Sequence, residues 1–183
     1  MQKVLDLIRK DGKVKKATLK ELNISYIDKI MELQNIILNG LEDKTLYAPT
    51  EKEEFIEYFK KGAKILGYIT DENILVAMGV YIEKGYDDGN YGYDIELEGE
   101  ELLKVGQIES TVVREEFRGN RLQRIICQLF ENVARENNIK ILCATAAPHN
   151  KFSVDTFEKL GYEVSRDKIK YGGYRRYVLV KNI

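Results

Sequence analysis

A strand-like segment that leads into a basic, glycine-containing turn is the part of this sequence best suited to binding an anion. Residues 109–113 have the character of a strand, and Arg118-Gly119-Asn120-Arg121-Leu122-Gln123 opens a helix shortly after it. The first backbone N–H groups of a helix have no partner within the helix, and the helix dipole adds partial positive charge there. These parts are suited to holding a pyrophosphate.

Composition and charge restrict the class of protein. A chain of 183 residues with a formal net charge of −1 gives no basis for a nucleic-acid or anionic-membrane surface. No apolar run reaches membrane-spanning length, and the first eight residues lack the apolar core of a signal peptide. Cys127 and Cys143 belong to no closely spaced Cys/His set, so we expect no metal site and a reducing, cytoplasmic location.

Periodicity and turn signals predict the elements that position the turn. Thr50 and Glu53 form a capping-box pattern, and Asn39-Gly40 stops the helix before it. Before residue 84 we predict helices over 1–11, 24–37 and 50–61, and strands over 14–19, 63–70 and 74–83. After residue 101 we predict strands over 104–113, 140–147, 162–166 and 175–181, with helices over 122–134 and 150–160.

The segment 84–101 differs from its surroundings. It combines four glycines and three tyrosines with seven acidic residues, and no Lys or Arg follows Lys84 until Lys104. It is either a solvated, mobile loop or a lid whose negative charge attracts a cationic substrate.

Three segments together resemble the GNAT superfamily of acyl-CoA-dependent N-acyltransferases. They are Val113 to Gln123, Asn150 to Ser153 with Phe157 to Tyr162, and Tyr171 to Leu179. The resemblance implies an α/β (α+β) fold with a mixed, mostly antiparallel sheet of six or seven strands. It also implies a splayed parallel strand pair and helices on both faces. We therefore expect a single domain over 1–183, with 1–12 as a helical appendage.

The phosphate turn departs from the family pattern of Gln or Arg, two residues, Gly, one residue, and Gly or Ala. Arg118 matches the first position, but Arg121 and Gln123 replace the expected small residues. Right-handed helical geometry at Arg121 would still present its N–H group, and its side chain could add a charged contact to the pyrophosphate. The opposing interpretation is a turn that no longer binds coenzyme.

The resemblance also assigns coenzyme contacts. The acyl-pantetheine arm would pair with the backbone of Thr111, Val112 and Val113. The pyrophosphate would lie on the N–H groups of Arg118, Gly119, Asn120, Arg121, Leu122 and Gln123. Asn150 and Ser153 match positions that contact the arm, and helix capping is the alternative role for both.

In the implied reaction an amine attacks the thioester directly, after a base has removed its proton. Glu109 alternates with Thr111 and Val113 on one strand face and is the leading candidate for the base, with an exposed or salt-bridged glutamate as the alternative. His149, the only histidine, is the second candidate, although a turn histidine also serves structural roles. Phe157 stands where many members carry a proton-donating Tyr, and Tyr162 or Tyr171 could substitute.

The sequence as a whole therefore predicts an acetyl-CoA-dependent N-acetyltransferase that acts on a primary amine of a small molecule or peptide. Acetyl-CoA is the co-substrate, and no metal, nucleic acid or membrane is involved. The family often forms homodimers, and the sequence identifies no interface. The alternative is a non-catalytic module of the same fold that binds coenzyme or another protein.

Overall fold

The structure is a computed structural model that describes residues 3–183. It contains eight strands and four α-helices within those residues. The strands are β1 (Val4–Ile8), β2 (Val14–Leu22), β3 (Lys64–Thr70), β4 (Leu75–Ile82), β5 (Val105–Val113), β6 (Ile141–Ala146), β7 (Glu163–Lys170) and β8 (Tyr174–Asn182). The helices are α1 (Ile27–Gly40), α2 (Lys52–Lys60), α3 (Leu122–Glu136) and α4 (Lys151–Lys159).

The strands form one sheet in the order β1-β2-β3-β4-β5-β6-β8-β7. The pairs β1/β2, β2/β3, β6/β8 and β7/β8 are antiparallel, and β5/β6 is parallel. The predicted mixed α/β class is confirmed, with eight strands in place of six or seven. The parallel register runs only from Val105↔Ile141 to Ile108↔Ala144, although β5 continues to Val113.

The prediction of a helix over residues 1–11 was wrong. Val4–Ile8 is a strand that pairs with β2, from Val4↔Thr18 to Ile8↔Val14. Gly12, which suggested a helix C-terminus, lies in the turn between the two strands with a φ of 80°. Both positions favour glycine because it adopts positive φ at little cost. Residues 1 and 2 of the predicted helix lie outside the described residues.

The chain divides into two compact units. The first comprises residues up to Glu42, Pro49–Val80 and Ser110–Ile126. Helix α1 covers most of the helix predicted over 24–37 and buries Ile30, Leu33, Gln34 and Ile37 there. The prediction of a single domain over 1–183 stays a prediction.

Thr50 does not cap α2, so the capping-box prediction was wrong. The N-cap is Glu51, without a side-chain capping bond. Thr50 is instead buried, and its hydroxyl lies 2.9 Å from that of Ser110. Its backbone N–H and C=O bond the side-chain amide of Gln34 at 2.9 and 2.8 Å. The Thr50 hydroxyl is therefore bonded to the half-buried Ser110 and does not cap the helix.

The second unit comprises Asp43–Ala48, Tyr81–Glu109 and Cys127–Ile183. Tyr91, Val105 and Cys143 form a buried cluster, against which Ile95 and Leu97 pack. The segment 84–101 is thus anchored by apolar side chains and contains short 3₁₀ turns at Tyr93–Ile95 and from Gly99. Strands β7 and β8 extend further toward each other than predicted, because the turn between them is only three residues long.

Candidate functional site

The predicted phosphate turn lies in the first unit, between β5 and α3. Arg118 and Arg121 are exposed there, and Gly119 has a φ of 95°. The N–H of Ile125 bonds the carbonyl of Arg121 at 3.0 Å, so the donors of residues 122–124 precede this bond. The turn thus presents two cations and early helix N–H groups, which together suit an anion.

Arg121 does not have the right-handed helical geometry that the sequence suggested. Its φ is 59°, so arginine adopts the left-handed conformation at the position where the resemblance expects glycine. Gly119 also has a positive φ, of 95°, so two residues of the turn have a conformation that glycine favours. The glycine-like backbone is therefore retained without the glycine.

Asn120 and Arg118 have structural bonds within this turn. The Asn120 amide accepts a bond from the Ile8 N–H at 2.9 Å and donates to the carbonyls of Ile8 and Phe117 at 2.8 and 2.9 Å. The Arg118 N–H already bonds the carbonyl of Glu115 at 3.2 Å. The Asn120 side chain thus fastens β1 to the turn, and the part of Arg118 that remains exposed to a ligand is its guanidinium.

The strand that leads into the turn is bent at Ser110, whose φ is 48°. This residue follows closely after the last parallel pair, Ile108↔Ala144. A left-handed residue interrupts strand alternation, so the common face predicted for Glu109 and Thr111 does not continue through Ser110. Beyond the bend, Gln123 donates from Nε2 to the hydroxyl of Thr111 at 3.2 Å, and Val112 is buried.

Glu109 is buried and ion-paired in the second unit. Its side chain is 8% exposed and its Oε1 lies 3.2 Å from Nζ of Lys84. The Nε2 of Gln107 also donates to Oε1 and bonds the Gly89 carbonyl at 3.2 Å, while its Oε1 accepts the Tyr91 N–H at 3.0 Å. Glu109 therefore has the salt bridge that the alternative described, and its role as the base stays a prediction.

His149 is exposed and bonded through one ring nitrogen. Its Nε2 lies 2.8 Å from Oδ2 of Asp43 and 3.1 Å from the hydroxyl of Thr45. Hydrogen bonds from the hydroxyl and N–H of Thr45 hold the pKa of Asp43 below its ordinary value, and His149 contributes less. His149 thus belongs to a surface Asp–Thr–His cluster.

The two tyrosines that could replace a proton donor at residue 157 have different environments. Tyr162 is buried, packs edge-on against Phe157 at 5.1 Å, and burial raises the pKa of its hydroxyl. The Tyr171 hydroxyl bonds those of Tyr91 and Thr145, the latter at 2.9 Å. Burial raises the pKa of Tyr171 to about 12. Only Tyr171 of these two lies within a polar cluster.

Asn150 caps α4, a role that can coexist with coenzyme contact, and the contact itself stays a prediction. Its Oδ1 accepts the N–H of Ser153 at 3.3 Å at the start of α4. Phe157 is 2% exposed, so its position is occupied by a core side chain.

Sequence reasoning missed the groups that surround Glu109 and the charges that balance the acidic segment. Asp94 is ion-paired with Lys168 at 2.9 Å and with Lys170, and Glu96 lies 3.1 Å from Arg166. The alternation of basic residues at 166, 168 and 170 was the signal for this pairing. The negative charge at residue 94 is therefore neutralised by β7 and is not displayed to a substrate.

Within residues 3–183, no helix is long and apolar enough to cross a membrane, and no group of three His, Cys, Asp or Glu residues could hold a metal ion.

Comparison with known proteins gives a family-model match. The model of the acetyltransferase (GNAT) family matches residues 28–162. Among curated proteins, none matches the sequence.

Similar solved structures have the same fold at low sequence identity. The yncA protein of Salmonella typhimurium, solved with its cofactor acetyl-CoA, is 13% identical with a TM-score of 0.66, covering 91% of this chain and 93% of that one. A GNAT-family acetyltransferase of Streptococcus pneumoniae is 13% identical with a TM-score of 0.68, covering 91% and 99%. The ribosomal-protein-alanine N-acetyltransferase of Brucella melitensis is 15% identical with a TM-score of 0.65, covering 90% and 99%.

Proposed function

Because the chain belongs to the acetyltransferase (GNAT) family, we propose that it is an acetyl-CoA-dependent N-acetyltransferase. It moves the acetyl group to a primary amine of a small molecule or peptide by direct attack in a ternary complex. The observation that carries the proposal is the turn from Arg118 to Gln123, with its two exposed cations and the left-handed backbone at Gly119 and Arg121.

That turn fits the pyrophosphate of the coenzyme. The start of α3 supplies backbone N–H donors and partial positive charge, and the turn before it has positive φ at Gly119 and Arg121. The guanidinium groups of Arg118 and Arg121 are exposed and supply charge-assisted hydrogen bonds to phosphate oxygens.

The bound thioester supplies an activated acetyl group. The amine nitrogen forms a bond to the carbonyl carbon, the C–S bond breaks, and the thiolate leaves and takes up a proton. An alkyl amine of pKa about 10.4 is almost fully protonated at pH 7, which costs about 4–5 kcal/mol before attack. We assign the removal of that proton to Glu109, whose charge Lys84 balances at 3.2 Å.

Coenzyme binding is the first test. Calorimetry with acetyl-CoA should show binding, and Arg118→Ala should weaken CoA more than pantetheine, because only CoA carries the pyrophosphate. Lys20→Ala removes another exposed cation from the same unit and is the matched control. Absence of heat and of thermal shift at saturating acetyl-CoA would reject the proposal. Equal losses for CoA and pantetheine would reject the phosphate role of Arg118 alone.

The role of Glu109 is tested separately. Glu109→Gln should lower kcat about 10²- to 10⁴-fold, the usual contribution of a general base, with acetyl-CoA affinity unchanged. Glu136→Gln changes an exposed glutamate at the end of α3 and should leave kcat unchanged. An unaffected kcat in the Glu109 variant would show that another group or a water accepts the proton.

A non-catalytic module of the same fold is the second candidate. It is favoured by Phe157, which occupies the tyrosine position as a 2% exposed core residue. This candidate predicts that acetyl-CoA binds without acetyl transfer to any member of an amine panel. Turnover of a single amine would decide for the enzyme.

A further inference from the structure

Arg176 in β8 is a buried cation with an unpaired donor. The residue is 3% exposed, and its Nη1 donates to the carbonyl of Arg175 at 2.8 Å. Among residues 3–183, its Nη2 has no hydrogen-bond partner. A buried donor of a charged group without a partner is costly, and such groups are rare in folded proteins. Nη2 is therefore a candidate for a ligand contact.

The neighbouring arginine shows the contrast. Arg175 is exposed and makes a two-pronged contact with Asp167, at 2.6 Å from Nη2 and 3.0 Å from Nε. The Asp43 carboxylate influences Arg176 through charge, but its own hydrogen bonds go to Thr45 and His149. Arg175 thus has a carboxylate partner within the chain, whereas the Nη2 of Arg176 remains for a carboxylate of a ligand.

Strand pairing places Arg176 on the same sheet face as Glu109. Gln107 lies opposite Cys143 in β5/β6, and Thr145 lies opposite Val178 in β6/β8. Residues opposite one another share a face, and so do residues two apart on one strand. Glu109, Thr145 and Arg176 therefore lie on one face, on three consecutive strands of the second unit.

The Tyr171 hydroxyl lies among these groups. It bonds Thr145 at 2.9 Å. Burial and hydrogen bonds have the largest effects on the pKa of Tyr171. Two nearby charges have smaller effects: the Glu109 carboxylate raises this pKa and the Arg176 guanidinium lowers it. The face thus presents a carboxylate, hydroxyl groups and a guanidinium, and both charges act on the Tyr171 hydroxyl. A ligand that carries an ammonium and a carboxylate is complementary to this arrangement.

We propose that Arg176 binds the carboxylate of the acceptor, so that the acceptor is a molecule with both a primary amine and a carboxylate. The planar guanidinium edge matches a carboxylate, and the amine is then directed toward Glu109. This inference rests on the proposed acetyltransferase function and narrows its substrate class from amines in general to amino acids.

The carboxylate reaches Nη2 beside the turn that joins β7 and β8. The Tyr174 ring lies over the guanidinium at 5.0 Å and covers one of its faces. Gly172 and Gly173 in the turn carry no side chain, and a Cβ at either would meet open space. Nη2 itself is covered, so binding at this atom requires a neighbouring side chain to move.

The test compares acceptors that differ only in the carboxylate. Glycine, β-alanine and 4-aminobutanoate are each paired with their carboxamide, and binding to the protein loaded with CoA is measured by calorimetry, which needs no turnover. At least one acid should bind about 10- to 100-fold more tightly than its amide, the range for hydrogen bonds to a charged group. Arg176→Gln should abolish that preference and leave amide binding unchanged.

Arg175→Gln is the matched control, since it removes the exposed arginine next to Arg176, and it should retain the preference for acids. A melting temperature close to that of the unchanged protein shows that each variant is folded. If Arg176→Gln does not fold, Arg176→Lys replaces it, and a lysine should retain charge but lose the two-pronged contact and most of the preference.

The outcomes separate the two proposals. If CoA binds but no acid is preferred over its amide, or if the preference persists in the Arg176 variant, the carboxylate role is overturned and the acetyltransferase proposal stands. If CoA does not bind, the acetyltransferase proposal fails, and titration of the coenzyme-free protein with the same pairs decides the role of Arg176 by itself.

Discussion

The hydroxyl oxygens of Thr50 and Ser110 lie 2.9 Å apart, and this contact fixes the bend in β5. Ser110 has a φ of 48°, a conformation that costs a residue other than glycine about 1–2 kcal/mol. The Gln34 amide holds Thr50 in turn through two bonds of 2.8 and 2.9 Å to its backbone. A chain of polar contacts from α1 therefore offsets the cost of the bend at Ser110.

Thr50→Val should lower the free energy of unfolding by about 1–2 kcal/mol, because it leaves the Ser110 hydroxyl without its partner at nearly constant volume. Denaturant titration measures the change. An unchanged m-value would show that the variant and the natural sequence expose similar surface on unfolding. Thr18→Val alters a half-buried threonine on β2 and should stay within about 0.5 kcal/mol. Equal effects at the two positions would show that the contact does not stabilise the bend.

Arg121→Gly and Arg121→Ala separate backbone strain from charge at the phosphate turn. Both remove the guanidinium, but only glycine adopts a φ of 59° without steric cost. We therefore expect the glycine variant to be more stable than the alanine variant by about 1 kcal/mol, and both to bind CoA less tightly than the natural sequence. Thermal unfolding and calorimetry give the two quantities. An alanine variant as stable as the glycine variant would show that the left-handed conformation is not enforced.

Asn120→Ala should release β1 from the turn. The Asn120 side chain makes two bonds to the Ile8 backbone and one to the Phe117 carbonyl, so its loss removes contacts that join residues 112 positions apart. The Ile8 amide should lose protection against hydrogen exchange, while amides in the middle of α3 keep theirs. Asn137→Ala removes an exposed bond to Glu83 and is the control. Unchanged hydrogen exchange at Ile8 would show that the Asn120 side chain does not hold β1 to the turn.

Local patterns sufficed for most elements of this fold. The end of α1 at Gly40, the Asn150 cap and the interior strand β6 each follow from signals within one element. The prediction of a helix over residues 1–11 was wrong because a glycine with positive φ, such as Gly12, occurs both at the end of a helix and in the turn of a hairpin. The pairing of β1 with β2, which decides between the two, is a contact that no local pattern contains.

The candidate site was predictable in its turn but not in its surroundings. Resemblance located Arg118 to Gln123, because the turn is a contiguous segment. The partners of Glu109 include Lys84, which is distant in sequence and lies on the far side of the acidic segment. The environment of Arg176 depends on the register of β6/β8 and on the turn before β8. The partners of Glu109 and Arg176 therefore depend on burial and strand register, which the residue types alone do not determine.

The stability of the protein should depend on Tyr171 in alkaline solution. Burial raises the pKa of Tyr171 from an ordinary value of 10.0 to about 12, so the folded state holds this proton more tightly than the unfolded state. The resulting stabilisation is fully present below pH 10 and is lost as the pH rises through 12. The melting temperature of the natural sequence should exceed that of Tyr171→Phe at pH 8, and the difference should narrow progressively above pH 10. Tyr86→Phe, which removes a tyrosine that is 58% exposed, is the control for the loss of one phenol. A difference that stays constant or widens across this range would show that the Tyr171 hydroxyl does not remain protonated between Tyr91 and Thr145.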